Sequence, residues 1–156
     1  MAGRKSQKPI LRGINGSFRA GRLTAILGPS GAGKSSLLNV LSGFKKNGVT
    51  GSIKTNGKER SIQEFRKFSC YITQEFYMLQ LLTTKETLRV AADLKLNYKT
   101  NKSKKDIMIG EILHLLGLEK TKDTLVKNLS GGEKKRLSIG VELLTNPPVM
   151  FFDEPT

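Results

Sequence analysis

Gly28-Pro29-Ser30-Gly31-Ala32-Gly33-Lys34-Ser35 is the stretch whose reading decides the fold. Gly28, Gly33, Lys34 and Ser35 satisfy G-x-x-x-x-G-K-[ST], a loop whose amides cradle phosphates, whose lysine reaches the β- and γ-phosphates and whose hydroxyl ligates Mg²⁺. The flanks supply the context that such a loop requires. Leu23-Thr24-Ala25-Ile26-Leu27 is a short apolar run suited to a buried strand, and residues 36–42 offer Leu37, Leu38, Val40 and Leu41 for a packed helix that Gly43 can end. Strand, glycine-rich loop and helix in that order imply an α/β chain with a phosphate site along residues 28–36, Pro29, Ser30, Gly31, Ala32 and Ser36 included.

Two further stretches narrow the chemistry. In Leu129-Ser130-Gly131-Gly132-Glu133-Lys134-Lys135-Arg136, Ser130 and Glu133 have capping-box spacing, so each side chain can satisfy a backbone N–H of the other at a helix start. Gly131 and Gly132 leave the amides of that start bare, and the helix dipole there favours an anion. Taken alone, the segment also reads as an ordinary capped helix. Val149-Met150-Phe151-Phe152 follows the helix-stopping Asn146-Pro147-Pro148 and reads as a strand buried on both faces. Asp153 and Glu154 stand at its carboxyl end, where parallel sheets bind ligands, provided the strand lies beside that of the glycine-rich loop. Alternation would aim the two carboxylates differently, one toward a metal shell and one toward a water. Two solvated acids ending a strand are the plainer alternative.

At this point the chain resembles the nucleotide-binding domain of ATP-binding cassette transporters, with residues 28–35 as Walker A, 129–136 as the signature and 149–154 as Walker B. The runs Phe68-Ser69-Cys70-Tyr71-Ile72 and Glu142 to Thr156 resemble the G subfamily, the white and sterol-exporter type half-transporters. The resemblance implies a P-loop NTPase (RecA-like) core with an N-terminal antiparallel β portion and a helical subdomain. About residues 1–75 and 146–156 would form the core sheet, and about 76–145 the helical subdomain. It also implies a D-loop, further strands and a switch histidine beyond Thr156, so the chain reads as a partial domain, incomplete at the C-terminus.

The resemblance assigns roles residue by residue. Lys34 and Ser35 would hold phosphate and Mg²⁺, Asp153 would support the metal, and Glu154 would activate water. Gln74, directly after a strand at 68–72, matches the glutamine that contacts Mg²⁺ and couples the site to a membrane domain. Ser130, Gly131, Gly132 and Glu133 would face the γ-phosphate of an ATP held by a second half-transporter, paired head to tail. Glu133 stands where many cassettes carry glutamine, and it brings a negative charge near phosphate. His114, the sole histidine, precedes the signature and reads as a partly exposed helical side chain, not as the switch residue. No aromatic residue lies in 1–17 to stack on adenine, and Phe18 lies too close to the loop to take over that role.

The middle of the chain is orderly. Gly51 to Lys58 reads as an edge hairpin turning at Asn56-Gly57, and Ser61-Ile62-Gln63-Glu64 as a capping box. From Thr83 to Leu116 the periodicity is helical, with Leu88, Ala91, Ala92 and Leu96 on one segment and Ile109, Ile112, Leu113 and Leu116 on the next; residues 97–105 read as a surface loop.

Charge and composition test other classes. A net charge of +14, from 27 basic and 13 acidic residues, invites a nucleic-acid reading, but the lysines are spread over turns and helix ends with no aromatic stacking array. Nucleic acid is therefore not expected as a partner, although a non-transport cassette acting on nucleic acid or ribosomes is the alternative, as is a catalytically silent fragment. No run reaches the roughly 18 apolar residues of a membrane span, and no signal peptide is visible. A link to the cytoplasmic face of a membrane would be indirect, through a transmembrane domain. Cys70, the single cysteine, suits a buried structural thiol in a reducing compartment.

Overall fold

The computed structural model describes residues 9–73 and 78–153. Two compact units, Met1–Arg66 and Lys67–Thr156, divide the chain.

In the first unit, helix α1 (Lys34–Leu41) starts from Gly33, whose φ of 97° is left-handed. It ends as the sequence suggests: Gly43 takes φ 83° and donates its N–H to Val40 O at 3.2 Å. The terminal carbonyls also attract cations. Arg60 donates to Leu41 O and, at 3.1 Å, to Val40 O, while Arg66 reaches Gly43 O at 2.9 Å. A cation at the negative end of a helix contributes about 0.3–1 kcal/mol.

Strands β1 (Lys54–Thr55) and β2 (Lys58–Glu59) pair antiparallel. Asn56 at φ 51° and Gly57 at φ 79° turn between them, the Asn-Gly hairpin chemistry expected there. Helix α2 (Ile62–Phe65) begins where Ser61 Oγ accepts from the Glu64 amide at 3.4 Å, the serine half of the expected box.

The strand expected over 23–27 does not form. Those residues have no strand pairing among the described residues, and Leu23 and Leu27 are 95% and 90% exposed. Apolar composition makes a segment suitable for a sheet, but only neighbouring strands pair its amides and cover its faces.

The second unit holds β3 (Ser69–Ile72) and β4 (Val149–Phe152), paired parallel from Ser69↔Val149 to Ile72↔Phe152. Every residue of β4 is half-buried, less covered than its apolar run implies. Helices α3 (Thr84–Lys95) and α4 (Lys102–Leu115) pack on each other and on α5 (Gly131–Leu143), which packs against β3. Helix α4 takes in the last four residues of the expected 97–105 loop because Asn101 Oδ1 accepts from the Lys104 amide at 2.9 Å. That side-chain cap outweighs the basic run's loop-like composition.

Leu88 and Ala92 of α3, Ile109, Ile112 and Leu113 of α4 and Leu137 of α5 form the core, joined by Leu118, Val126, Leu129 and Leu144. The segment before α5 is sewn to the start of α3: Thr84 N donates to Thr124 O at 3.0 Å, and Val126 N to Leu82 O at 2.8 Å. Residues leading into the second glycine pair are thereby fixed on the helical core.

Candidate functional site

The glycine-rich loop lies in the first unit. Gly31 (φ 76°) and Gly33 (φ 97°) are both left-handed, which only glycine adopts without strain. A Cβ on Gly33 would also come within 3.1 Å of Leu11 Cδ2, a tight contact from which that side chain would have to move. Lys34 opens α1 and folds back over the loop, its Nζ donating to Gly28 O and Pro29 O at 2.9 Å each. An ammonium held over a glycine-rich loop beside a helix N-terminus is an arrangement suited to phosphate. Ser35 and Ser36 follow within the first turn.

The remaining candidates lie in the second unit. Ser130 caps α5, accepting from the Glu133 amide at 3.3 Å, while Glu133 Oε2 accepts from Ser130 N at 2.8 Å and from Ser130 Oγ at 2.6 Å. These bonds favour the ionised form, and with the backbone bond and nearby Arg136 they hold the Glu133 carboxyl below its ordinary value. The first turn with Gly131 and Gly132 is exposed. An acid at the helix N-terminus spends part of the dipole's attraction on its own charge.

Asp153 is half-buried and held by its backbone and its side chain. Its N–H donates to Ile72 O at 3.0 Å, continuing the ladder past β4, and its Oδ2 accepts from Tyr71 Oη at 2.9 Å. Tyr71 pairs in register with Phe151, so alternation places Asp153 on the same face as Tyr71. Burial first, and then the bond to the Asp153 carboxylate, push the Tyr71 hydroxyl far up. It therefore remains a donor through the neutral range. Gln74 and Glu154, the other two candidates, lie outside the described residues.

Sequence reasoning did not single out Tyr71 or Lys135. Lys135, on α5, is only 9% exposed and donates to Thr73 O at 3.2 Å and Asp153 O at 3.4 Å. The signal for Tyr71 was its place in a strand, legible only once the partner strand and register are known. For Lys135 there was none, since Lys134, Lys135 and Arg136 look alike in sequence.

The donor chemistry fits Mg²⁺. The candidates offer a hydroxyl, a carboxylate and an amide oxygen, hard ligands of the kind that bind Mg²⁺ together with substrate phosphates. Among the described residues no three or more His, Cys, Asp or Glu side chains gather into a protein-only metal cage. His114 instead pairs with Glu119 at 2.5 Å on the surface. Burial, reinforced by Glu142 and opposed by Lys95, pushes the Cys70 thiol up to about 11, which suits an inert structural role. No helix among the described residues is long and apolar enough to cross a membrane.

The family model for ABC transporters matches residues 11–156. Among curated proteins, the chain is 43% identical to ABC transporter G family member 4 of Dictyostelium discoideum, over 94% of this chain and 20% of that protein. It is 42% identical to the broad substrate specificity ATP-binding cassette transporter ABCG2 of Mus musculus, over 96% of this chain and 23% of that protein. ABC transporter G family member 17 of Arabidopsis thaliana is 38% identical, with 96% and 23% covered. The chain thus spans about a fifth to a quarter of the length of these relatives.

Proposed function

Because the chain belongs to the ABC transporter family and its relatives are G-type members, we propose that it is the ATP-binding and ATP-hydrolysing part of a half-transporter, working on the cytoplasmic face of a membrane. The observation that carries this reading is the pairing, in one chain, of the Lys34 cradle with an exposed, capped glycine start on α5. One serves, in this reading, as the phosphate grip and the other as a half-site for an anion.

In this reading the amides of residues 28–36 and the Lys34 ammonium bind the phosphates of MgATP. Ser35, Gln74 and Asp153 hold the Mg²⁺, which when bound neutralises charge developing on the phosphates. Glu154 takes the proton of the attacking water as its oxygen bonds to the γ-phosphorus and the bond to ADP breaks, releasing phosphate. Ser130, Gly131 and Gly132 face the γ-phosphate of a nucleotide held by a second half-transporter. Such catalysis is mostly positioning and electrostatics, so every part must be in place for turnover. Lipid-like or other small molecules would be moved by a transmembrane domain of the same half-transporter.

Lys34→Met tests the first step. Titration with MgATP should show affinity lowered at least about tenfold, the loss of one charge-assisted phosphate grip. Unchanged affinity would remove Lys34 and its loop from the site.

A further inference from the structure

Lys135 is a lysine almost fully withdrawn from water, on the helix that begins with the signature glycines, and its ammonium rests on the carboxyl ends of both parallel strands. Lysines are seldom buried without partners, because taking an ammonium out of water costs several kcal/mol unless hydrogen bonds replace the lost hydration. Here the partners include main-chain oxygens of Thr73 and Asp153, just beyond β3 and β4. Thr73 is followed in sequence by Gln74, and Asp153 by Glu154.

The helix geometry supplies the other half. Lys135 lies five residues beyond Ser130, about 7.5 Å along the axis, so both move with one rigid rod. The anchorage of that rod is not built from Lys135 alone, since Lys95 of α3 meets Glu142 near its far end at 2.5 Å. That pair is partly exposed and ties helix to helix. Lys135 ties helix to sheet, at the carboxyl ends of β3 and β4.

We propose that Lys135 is a positioning residue that couples the two half-sites of one chain. It links the strand ends that carry Asp153 and precede Gln74, the Mg²⁺ ligands of the reading above, to the α5 start that in the same reading serves the partner's nucleotide. This rests on the head-to-tail pairing proposed above. A shift of the strand ends on nucleotide binding is passed through the ammonium to α5, setting Ser130 and Gly132 for closure. The residue touches no substrate; it acts through α5.

The test compares the full-length protein with Lys135→Met, which keeps the stem and removes the donors, with Lys135→Gln, which keeps a neutral donor, and with Lys135→Arg, which keeps the charge. Three quantities are read: MgATP affinity at dilute protein, the MgATP concentration that drives two chains together by light scattering, and thermal midpoint. Lys135→Met should leave affinity and thermal midpoint near the parent's, within about twofold for affinity. It should raise the MgATP needed for association by about tenfold, in the range of a coupling between sites. Lys135→Gln should fall between, and Lys135→Arg should restore association. Association unchanged in Lys135→Met overturns the proposal. So does a loss of affinity or thermal midpoint in step with association across the series, because Lys135 would then only support the fold. A parent protein that binds MgATP without associating removes the pairing itself, and the proposal with it.

Discussion

At the scale of single residues, the α5 start is set by a charge. Glu133 accepts from both the amide and the hydroxyl of Ser130, and its carboxyl is held below its ordinary value by those bonds. A carboxyl lowered by folding contributes its stabilisation above the unfolded value of about 4.3, and that contribution is lost as pH falls through the lower folded value. Amide exchange in the first turn of α5, corrected for intrinsic rates, should therefore be protected and flat at neutral pH. Protection should fall in the acid range below about pH 4. In Glu133→Gln the cap geometry can persist without a titrating group. Its first-turn protection should not depend on pH, and an equal acid loss in that variant would show that another group sets the turn. The same scale explains what the sequence hid. Ser130 and Glu133 announce themselves by spacing, because a cap is a local bond. Lys135 and Tyr71 act across the sheet, through partners 62 and 82 residues away, and no local pattern encodes such pairings.

Elements show where packing decides. Helix α5 approaches α3 and α4 at Gly140, where an added Cβ would sit 3.0 Å from both Ile112 Cγ2 and Leu116 Cδ1 and 3.4 Å from Leu88 Cδ2. Leu88 is fully buried and Ile112 nearly so, leaving little room to yield. Gly140→Val should destabilise the second unit by about 1–3 kcal/mol through overpacking, read as a lower urea midpoint with an unchanged slope. A midpoint equal to the parent's would mean that the helices separate at no cost. Helices α3 and α4 were legible from their apolar periodicity and α5 from the cap spacing of Ser130 to Glu133, while the capping box of Thr83 and Glu86 that opens α3 shows in the structure. Strands β3 and β4 were legible as short apolar runs between turns. Residues 23–27 carry the same composition yet form no strand, since pairing depends on segments distant in sequence. The candidate phosphate loop was legible for a different reason: its glycines answer left-handed backbone conformations that most residues adopt only with strain, and Gly31 and Gly33 adopt them.

For the molecule as a whole, the two candidate half-sites differ in what they can do alone. The Lys34 loop offers an ammonium, amides and a hydroxyl, the groups that in the proposed reading grip phosphates within one chain. The α5 start offers a capped dipole and two glycines but no cation among its first three residues, since Gly131, Gly132 and Glu133 occupy them. Such a start cannot hold a nucleotide by itself at useful strength, because a helix terminus contributes only about 0.3–2 kcal/mol. It can stabilise a phosphate already gripped by another chain. Binding should then be a property of one chain and turnover a property of two. In the dilute regime MgATP affinity should not vary with protein concentration, while ATP turnover per chain should rise in proportion to it and level off once pairs form. The slope in the dilute regime should vanish in Ser130→Arg, whose bulk and charge would block the partner's phosphate, although its own MgATP affinity stays within about twofold. Turnover per chain that is constant over a hundredfold dilution, about 2.7 kcal/mol of association free energy, would assign the chemistry to a single chain. The α5 glycines would then be only a helix start.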